Sequence, residues 1–197
     1  PNQIPVIVHV NYEAFEKVLG EENAILGSLF DHYDRILMPS FTYQTMVVPK
    51  AGPSNNGLNY EDVAHDQAAT EIFHLDMPVS PSIGVVEEAF RQHEETIRSQ
   101  HPVYSFSARN MPNTLSKQTL ENPLAPIAFL AKKGAWVLLI GADQKDNFSI
   151  HLAEDLAGLR PFIRWALTMT GIKELNSMPG CANGFENIRP HIHSLCR

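Results

Sequence analysis

The sequence lacks several features that define common classes of protein. Only two of its 197 residues are cysteines, Cys181 and Cys196, which argues against a disulfide framework and predicts a reducing, cytoplasmic location. No run approaches the ~20 consecutive apolar residues that span a bilayer. The first ten residues also lack the basic start of a signal peptide. We therefore expect no membrane association.

Basic residues are scarce as well. Fifteen Lys and Arg residues stand against 22 Asp and Glu residues, and the formal net charge is −7. Because nucleic acids and anionic membranes bind clustered cations, this balance argues against both as partners. An acidic protein suits a cationic small molecule such as an amine. We expect this protein to act as a monomer or a homodimer.

Motifs of several enzyme classes are missing. The sequence contains no G-x-S-x-G nucleophile elbow, no G-x-G-x-x-G and no P-loop, which argues against a serine hydrolase, a Rossmann dehydrogenase and an NTPase. His191, His193 and Cys196 are ligand-type residues at close spacing. No second cluster has the spacing of a zinc site, so we predict no metal.

The composition that is present describes an ordinary folded protein. Hydrophobic residues make up 44% and charged residues 19% of the chain, and the length suits one domain over 1–197. We expect an irregular loop at 43–70 and an irregular tail from 171, because both stretches are rich in turn-forming residues.

Apolar segments alternate with helical patterns along the chain. The predicted strands cover residues 4–10, 35–41, 102–108, 135–142 and 162–169. The predicted helices cover residues 22–32, 84–94, 122–133 and 149–157. Uniformly apolar strands that alternate with helices indicate an α/β fold, a three-layer α/β/α sandwich with a mainly parallel central sheet. Residues 135–142 are expected to form its most buried strand.

The stretch 138–155 carries the most informative chemistry. A buried strand ends in a polar turn, and a helix then opens with His151 in its first turn, at the sheet edge where α/β proteins bind ligands. Imidazole accepts protons at neutral pH, which suits a general base. From the pattern alone, His151 is equally well a half-buried helix residue bonded to a carbonyl. Three polar residues precede it that could orient or charge it: Asp143, Asp146 and Asn147.

The amino-acid sequences of several segments support this interpretation. GADQKDNFSIHLAED is similar to a loop that runs into N-T-S-L-H-L-A-E, and IRSQHPVYSFSARN is similar to V-R-S-x-H-P-x-x-S-F-x-A. IVHVNYEAF, RILMPSFT, FHLDMPVSPSIGVVEEAFRQ, NPLAPIAFLAKKGAWVLLIGAD and PGCANGFENIRPHI also match, in the same order. Together they cover nearly the whole chain, which therefore resembles the aminoglycoside 3-N-acetyltransferase family, a family of antibiotic-resistance enzymes.

The resemblance implies transfer of an acetyl group from acetyl-CoA to a primary amine. It implies that His151 is the general base and that a carboxylate supports it. We assign this carboxylate to Glu186, with Glu154 as the second candidate. A carboxylate behind an imidazole fixes its tautomer and raises its basicity.

The resemblance also implies where the two substrates bind. The residues expected to contact CoA are His9, Val10, Asn11, Arg98, Ser99, Ser105 and Phe106. The residues expected to contact the amine are Asp143, Lys145, Asp146 and Asn147.

At three places the chain departs from the family pattern. Val10 and Asn11 replace paired serines, and Phe148 replaces a threonine three residues before His151. Lys145 stands where members that modify aminoglycosides carry an Asp, and a cation there repels a polycation. The chain is also shorter than typical members. Two functions therefore remain open: an N-acetyltransferase for an aminoglycoside-like or other small amine, or a non-catalytic relative that binds CoA or another small ligand.

Overall fold

A computed structural model describes residues 3–14, 22–60, 70–180 and 182–191. Its strands are β1 Val6–Val10, β2 Ile36–Pro39, β3 Met46–Val47, β4 Thr96–Arg98, β5 Phe106–Arg109, β6 Trp136–Ile140, β7 Ile163–Thr168 and β8 Gly171–Asn176. Its α-helices are α1 Glu22–His32, α2 Val85–Gln92, α3 Pro112–Leu115, α4 Ala125–Ala131 and α5 Ile150–Leu156. Short 3₁₀ turns cover Tyr12–Ala14, Tyr43–Thr45, Gln144–Asp146 and Ala182–Ile188.

The main sheet has five strands in the order β4-β5-β2-β1-β6. Strand β1 is parallel to β2 and to β6, whereas β5 is antiparallel to β2 and to β4. The α/β class is confirmed, but the expectation of a mainly parallel sheet is wrong. Parallel neighbours need a crossover of a dozen or more residues, and residues 99–105 between β4 and β5 are too few for one.

Strand β6 occupies an edge of the main sheet and not its centre. Trp136 is 52% exposed and Val137 is 42% exposed, which corrects the expectation that residues 135–142 form the most buried strand. An apolar sequence predicts a strand, but it does not say how many neighbours that strand has.

A second sheet of three antiparallel strands has the order β3-β7-β8. Strands β7 and β8 form a tight hairpin that closes at the Thr168–Gly171 pair, where Gly171 adopts a φ of 100°. The expected irregular tail from 171 therefore begins with a regular strand. The expected irregular loop 43–70 contains β3, and its residues 61–69 lie outside the described part of the chain.

Side chains of the main sheet alternate between two hydrophobic clusters, one on each face. Val6 and Val8 pack with α1 and α2, whereas Ile7 packs on the other face with α3, α4, β7 and β8. Both faces are thus covered. Because the second covering layer contains strands as well as helices, the simple α/β/α arrangement expected from the sequence does not describe it.

The pairing of β1 with β2 is short. It ends at Ile7 opposite Leu37, whereas the pairing of β1 with β6 continues to Val10 opposite Ile140. The carboxyl ends of β1 and β2 are therefore not joined by backbone hydrogen bonds. In the described ranges, no helix is both long and apolar enough to cross a membrane.

Phe90 of α2 provides a test of this packing. It is fully buried between α1 and the sheet, and its ring centroid lies 6.1 Å from that of Phe30. We expect Phe90→Ala to lower the free energy of unfolding by about 3–5 kcal/mol, because truncation leaves a cavity. Urea titrations measure this quantity. The matched control is Leu156→Ala at an exposed position, and equal effects of the two substitutions would contradict the packing of α2.

Candidate active site

A cavity of about 680 Å³ lies at the carboxyl ends of β1 and β2. Ligand sites in open α/β sheets lie at this edge. The wall is built from the end of β1, the chain after β2, the start of α2, the turn before α5 and the chain after β8. The wall residues used below are His9, Val10, Asn11, Phe41, Tyr43, Glu87, Tyr104, Lys145, Asp146, Phe148 and His151.

His151 lies in the first turn of α5 and is only 5% exposed. The 3₁₀ turn before the helix is closed by the amide of Asp143, which donates to Oδ2 of Asp146 at 2.9 Å. The imidazole then lies between two aromatic rings, since the centroids of Phe148 and Phe185 are each 4.9 Å from its own. The ring is thereby fixed in the cavity wall.

His151 is paired with the carboxylate one helical turn later. Its Nδ1 lies 2.6 Å from Oε2 of Glu154. Burial lowers the pKa of His151 below its ordinary value, although the hydrogen bond and the charge of Glu154 both raise it. The imidazole is therefore neutral at neutral pH. If Nδ1 carries the proton and donates it to Glu154, Nε2 is the nitrogen that accepts a proton.

Glu186, the carboxylate first expected to support His151, has other partners. Its Oε2 accepts a hydrogen bond from Nε of Arg189 at 2.9 Å, and its Oε1 accepts one from the amide of Lys145 at 3.3 Å. We therefore assign the pairing to Glu154 in place of Glu186. The 182–188 turn does reach His151, but it does so through the ring of Phe185.

Two further polar side chains in the cavity wall are buried. His9 is 3% exposed, and burial lowers its pKa to about 4. Glu87 is 2% exposed. Burial raises its pKa to about 7, although hydrogen bonds from its own amide and from that of Val10 lower it. The sequence analysis missed Glu87. Its spacing of three residues before Phe90 places it on the buried face of α2, which was the available signal.

Of the other residues expected to contact CoA, Val10 and Asn11 line the cavity. The amide of Val10 donates to Oε1 of Glu87 at 3.1 Å, and the amide of Asn11 donates to the carbonyl of Ile140 at 2.9 Å. The turn after β1 is thereby tied both to α2 and to the end of β6.

Four expected CoA contacts lie outside the cavity wall: Arg98, Ser99, Ser105 and Phe106. Arg98 donates to the carbonyls of Leu75 and Ser40 and to Oγ of Ser105. Burial is the main reason that its pKa falls to about 10. Such a guanidinium connects β2 and β4 to the chain before α2. Its partners indicate a structural role, and its contact with CoA stays a prediction.

Of the four residues expected to contact the amine, only two lie in the cavity wall. Lys145 and Asp146 line the cavity. Asp143 is exposed and accepts a hydrogen bond from Nη2 of Arg189 at 3.1 Å. Asn147 is buried and uses its side chain within its own turn, where Nδ2 donates to Oε1 of Gln144 at 2.9 Å.

A cluster of aromatic rings forms one side of the cavity. The centroid of Phe41 lies 4.5 Å from that of Phe148 and 5.6 Å from that of Tyr104. Tyr43 adds a phenol whose pKa is raised by burial, so it is neutral. This cluster could not be predicted from the sequence pattern, because its members come from segments far apart in the chain.

The ligand-type residues do not form a metal site in the part of the chain that the structure describes. No group of three or more His, Cys, Asp or Glu residues there is placed to hold a metal ion. His193 and Cys196, two of the three ligand-type residues near the end of the sequence, lie outside the described residues.

Comparison with known proteins identifies the family. The model of the family described as aminoglycoside 3-N-acetyltransferase matches residues 7–176. The chain belongs to this family.

Similar proteins include the SPbeta prophage-derived aminoglycoside N(3')-acetyltransferase-like protein YokD of Bacillus subtilis (strain 168). It is 28% identical over 157 residues, which cover 76% of this chain and 57% of YokD. Aminoglycoside N(3)-acetyltransferase IV of Salmonella sp is 30% identical over 109 residues, or 53% of this chain and 38% of that protein. The chain thus spans between a third and three fifths of these curated relatives.

Solved structures share the fold. The crystal structure of YokD superposes with a TM-score of 0.77 at 25% identity, covering 97% of this chain and 81% of that one. A structure of AAC-IIIb in a binary complex with CoASH has a TM-score of 0.71 at 17% identity, covering 97% of this chain and 78% of that one.

The pairing of His151 with Glu154 predicts a change in titration. We expect Glu154→Gln to lower the pKa of His151 further, because the substitution removes the charge that opposes the effect of burial. An NMR titration of the imidazole protons measures it. Glu186→Gln should leave this pKa unchanged. The reverse result, a shift only in the Glu186 variant, would restore Glu186 as the partner.

Proposed function

We propose that this protein transfers an acetyl group from acetyl-CoA to a primary amine of a small molecule, with His151 as general base. The observation that carries the proposal is the buried imidazole in the cavity wall, bonded through Nδ1 to Glu154 at 2.6 Å. Membership of the aminoglycoside 3-N-acetyltransferase family supports the reaction type.

The chemistry needs a base because an ammonium group has no lone pair for attack. Nε2 of His151 takes one proton from the ammonium, and the amine nitrogen then forms a bond to the acetyl carbon. The carbon–sulfur bond breaks, and the second proton that the nitrogen loses passes to the sulfur, so that CoA leaves as its thiol. Glu154 holds the imidazole in the tautomer with a free Nε2 and stabilises the imidazolium that forms. Acetyl-CoA supplies the acetyl group as a reactive thioester.

Residues at the end of β1 fit a CoA arm. His9, Val10 and Asn11 line the cavity, and Nε2 of His9 has no hydrogen-bond partner among the described residues. A long, mostly uncharged ligand can satisfy such an atom. The related AAC-IIIb has been solved in a binary complex with CoASH, which supports CoA as the cosubstrate here.

The acceptor is proposed to be a small amine with few charges. Relatives carry the name aminoglycoside acetyltransferase, and the amines of aminoglycosides are the starting hypothesis for this chain. Lys145 lies in the cavity wall beside Asp146, and its ammonium repels a polycation. A monoamine or a sparsely charged amine avoids this repulsion.

A second function has specific support. Phe148 packs at 4.9 Å against His151 and Lys145 lies in the cavity wall, which together favour a non-catalytic relative that binds CoA or another small ligand. The two functions differ in one measurement. Both bind CoA in a titration, but only the enzyme releases thiol from acetyl-CoA when an amine is added.

The proposal predicts the effect of removing the base. We expect His151→Ala to lower kcat by about 10²–10⁴-fold and to leave the affinity for CoA nearly unchanged. Thiol release across a panel of amines measures the first quantity and calorimetric titration measures the second. The control is His32→Ala, since His32 lies on α1 with Nδ1 near the carbonyl of Ser28. Normal turnover in the His151 variant would rule out the base.

The position of Lys145 predicts a change in selectivity. We expect Lys145→Asp to raise the affinity for spermine roughly tenfold, which corresponds to about 1.4 kcal/mol, because an attraction replaces a repulsion. Calorimetric titration with spermine measures the affinity. Lys132→Asp alters the net charge equally at an exposed site outside this cavity wall. An equal gain in both variants would mean that Lys145 acts only through net charge.

A further inference from the structure

One oxygen in the cavity wall lacks a partner. Oε2 of Glu87 is buried and has no hydrogen-bond partner among the described residues, although Glu87 lines the cavity. Buried polar atoms are almost always hydrogen-bonded, and each exception calls for an explanation. A ligand in the cavity that donates a hydrogen bond is the explanation closest at hand.

The carboxyl group of Glu87 is held in place from two sides. Its Oε1 accepts the hydrogen bond of the Val10 amide at 3.1 Å, across the gap where β1 no longer pairs with β2. Its Oε2 lies against Gly84, where any Cβ would clash with it. Gly84 also adopts a φ of 135°, a conformation that favours glycine. The group is therefore oriented before any ligand binds.

The surroundings of Glu87 select the chemistry of the ligand. Pro39, Ile83 and Val85 also line the cavity and offer no side-chain partner to a charged group, which would lose its hydration beside them with little compensation. His9, also in this wall, is neutral near pH 7, since burial lowers its pKa to about 4. These neighbours suit an uncharged N–H donor such as a secondary amide.

CoA carries secondary amides in one part only. Its pantetheine arm contains two secondary amides, whereas its other half is a nucleotide with phosphates. We propose that Oε2 of Glu87 accepts a hydrogen bond from an amide N–H of the pantetheine arm and fixes the arm along the wall between β1 and α2. This inference rests on the proposed use of CoA and adds a positioning residue that the sequence analysis did not name.

Glu87→Gln tests the inference with little change of shape. The amide oxygen of Gln keeps the bond from Val10, and its NH₂ group then faces the ligand where an acceptor is needed. We expect the affinities for CoA and for phosphopantetheine to fall about 10- to 100-fold. The affinity for adenosine bisphosphate, the nucleotide half of CoA, should be unchanged. Calorimetric titration of the three compounds, without any amine, measures this pattern.

Two further variants complete the experiment. Glu87→Leu removes the acceptor without adding a donor, and the same two ligands should weaken. Glu88→Gln is the matched control on the same helix, because Glu88 bonds Arg91 and the amide of Val79 outside the cavity wall. Thermal melting curves confirm that each variant is folded. The control should bind CoA like the unaltered protein.

The outcomes separate the inference from the proposed function. If the unaltered protein binds CoA and Glu87→Gln binds it equally well, the inference is overturned and the proposed function stands. If Glu87→Gln weakens the binding of adenosine bisphosphate as much as that of CoA, the loss is not specific to the pantetheine arm and the inference is again overturned. If the unaltered protein does not bind CoA, both fail together.

Discussion

The short pairing between β1 and β2 is the constraint on which the candidate site depends. Ile7 opposite Leu37 is the last register pair of these two parallel strands, although β1 continues along β6 to Val10. A strand that loses its neighbour exposes backbone groups that need other partners. The Val10 amide finds one in Glu87, and the cavity opens beside this contact. The end of the strand pairing, the contact with α2 and the opening of the cavity therefore occur at the same place in the fold.

The elements of the fold were largely predictable from the sequence, and their arrangement was not. The β-branched run in β1 and the amphipathic pattern of α2 depend on local chemistry, which the sequence states directly. The direction of β5 and the edge position of β6 depend on connection lengths and on neighbours. The apolar side chains of a strand indicate only that its faces are buried. A central parallel strand and an edge strand such as β6 can therefore have the same sequence pattern.

The same division holds for the site. His151 was predictable because its segment resembles a known family and because a histidine at the start of a helix after a buried strand lies at a ligand-binding edge. The choice between Glu154 and Glu186 was not, since it depends on which side chain the 182–188 turn directs inward, and that side chain is Phe185. Arg98 shows a different limit, because its motif does not reveal that its guanidinium donates to the carbonyls of Leu75 and Ser40. Its contact with CoA stays a prediction.

Burial then gives the site its chemical character. It lowers the pKa of His151 and of His9 and raises that of Glu87, so in each case the low dielectric favours the neutral form. At His151, Glu154 opposes this effect through its hydrogen bond and its charge. The part of the cavity wall at His9 and Glu87 therefore disfavours charge and suits uncharged groups. The acceptor proposed above, an amine with few other charges, is also the acceptor that Lys145 repels least.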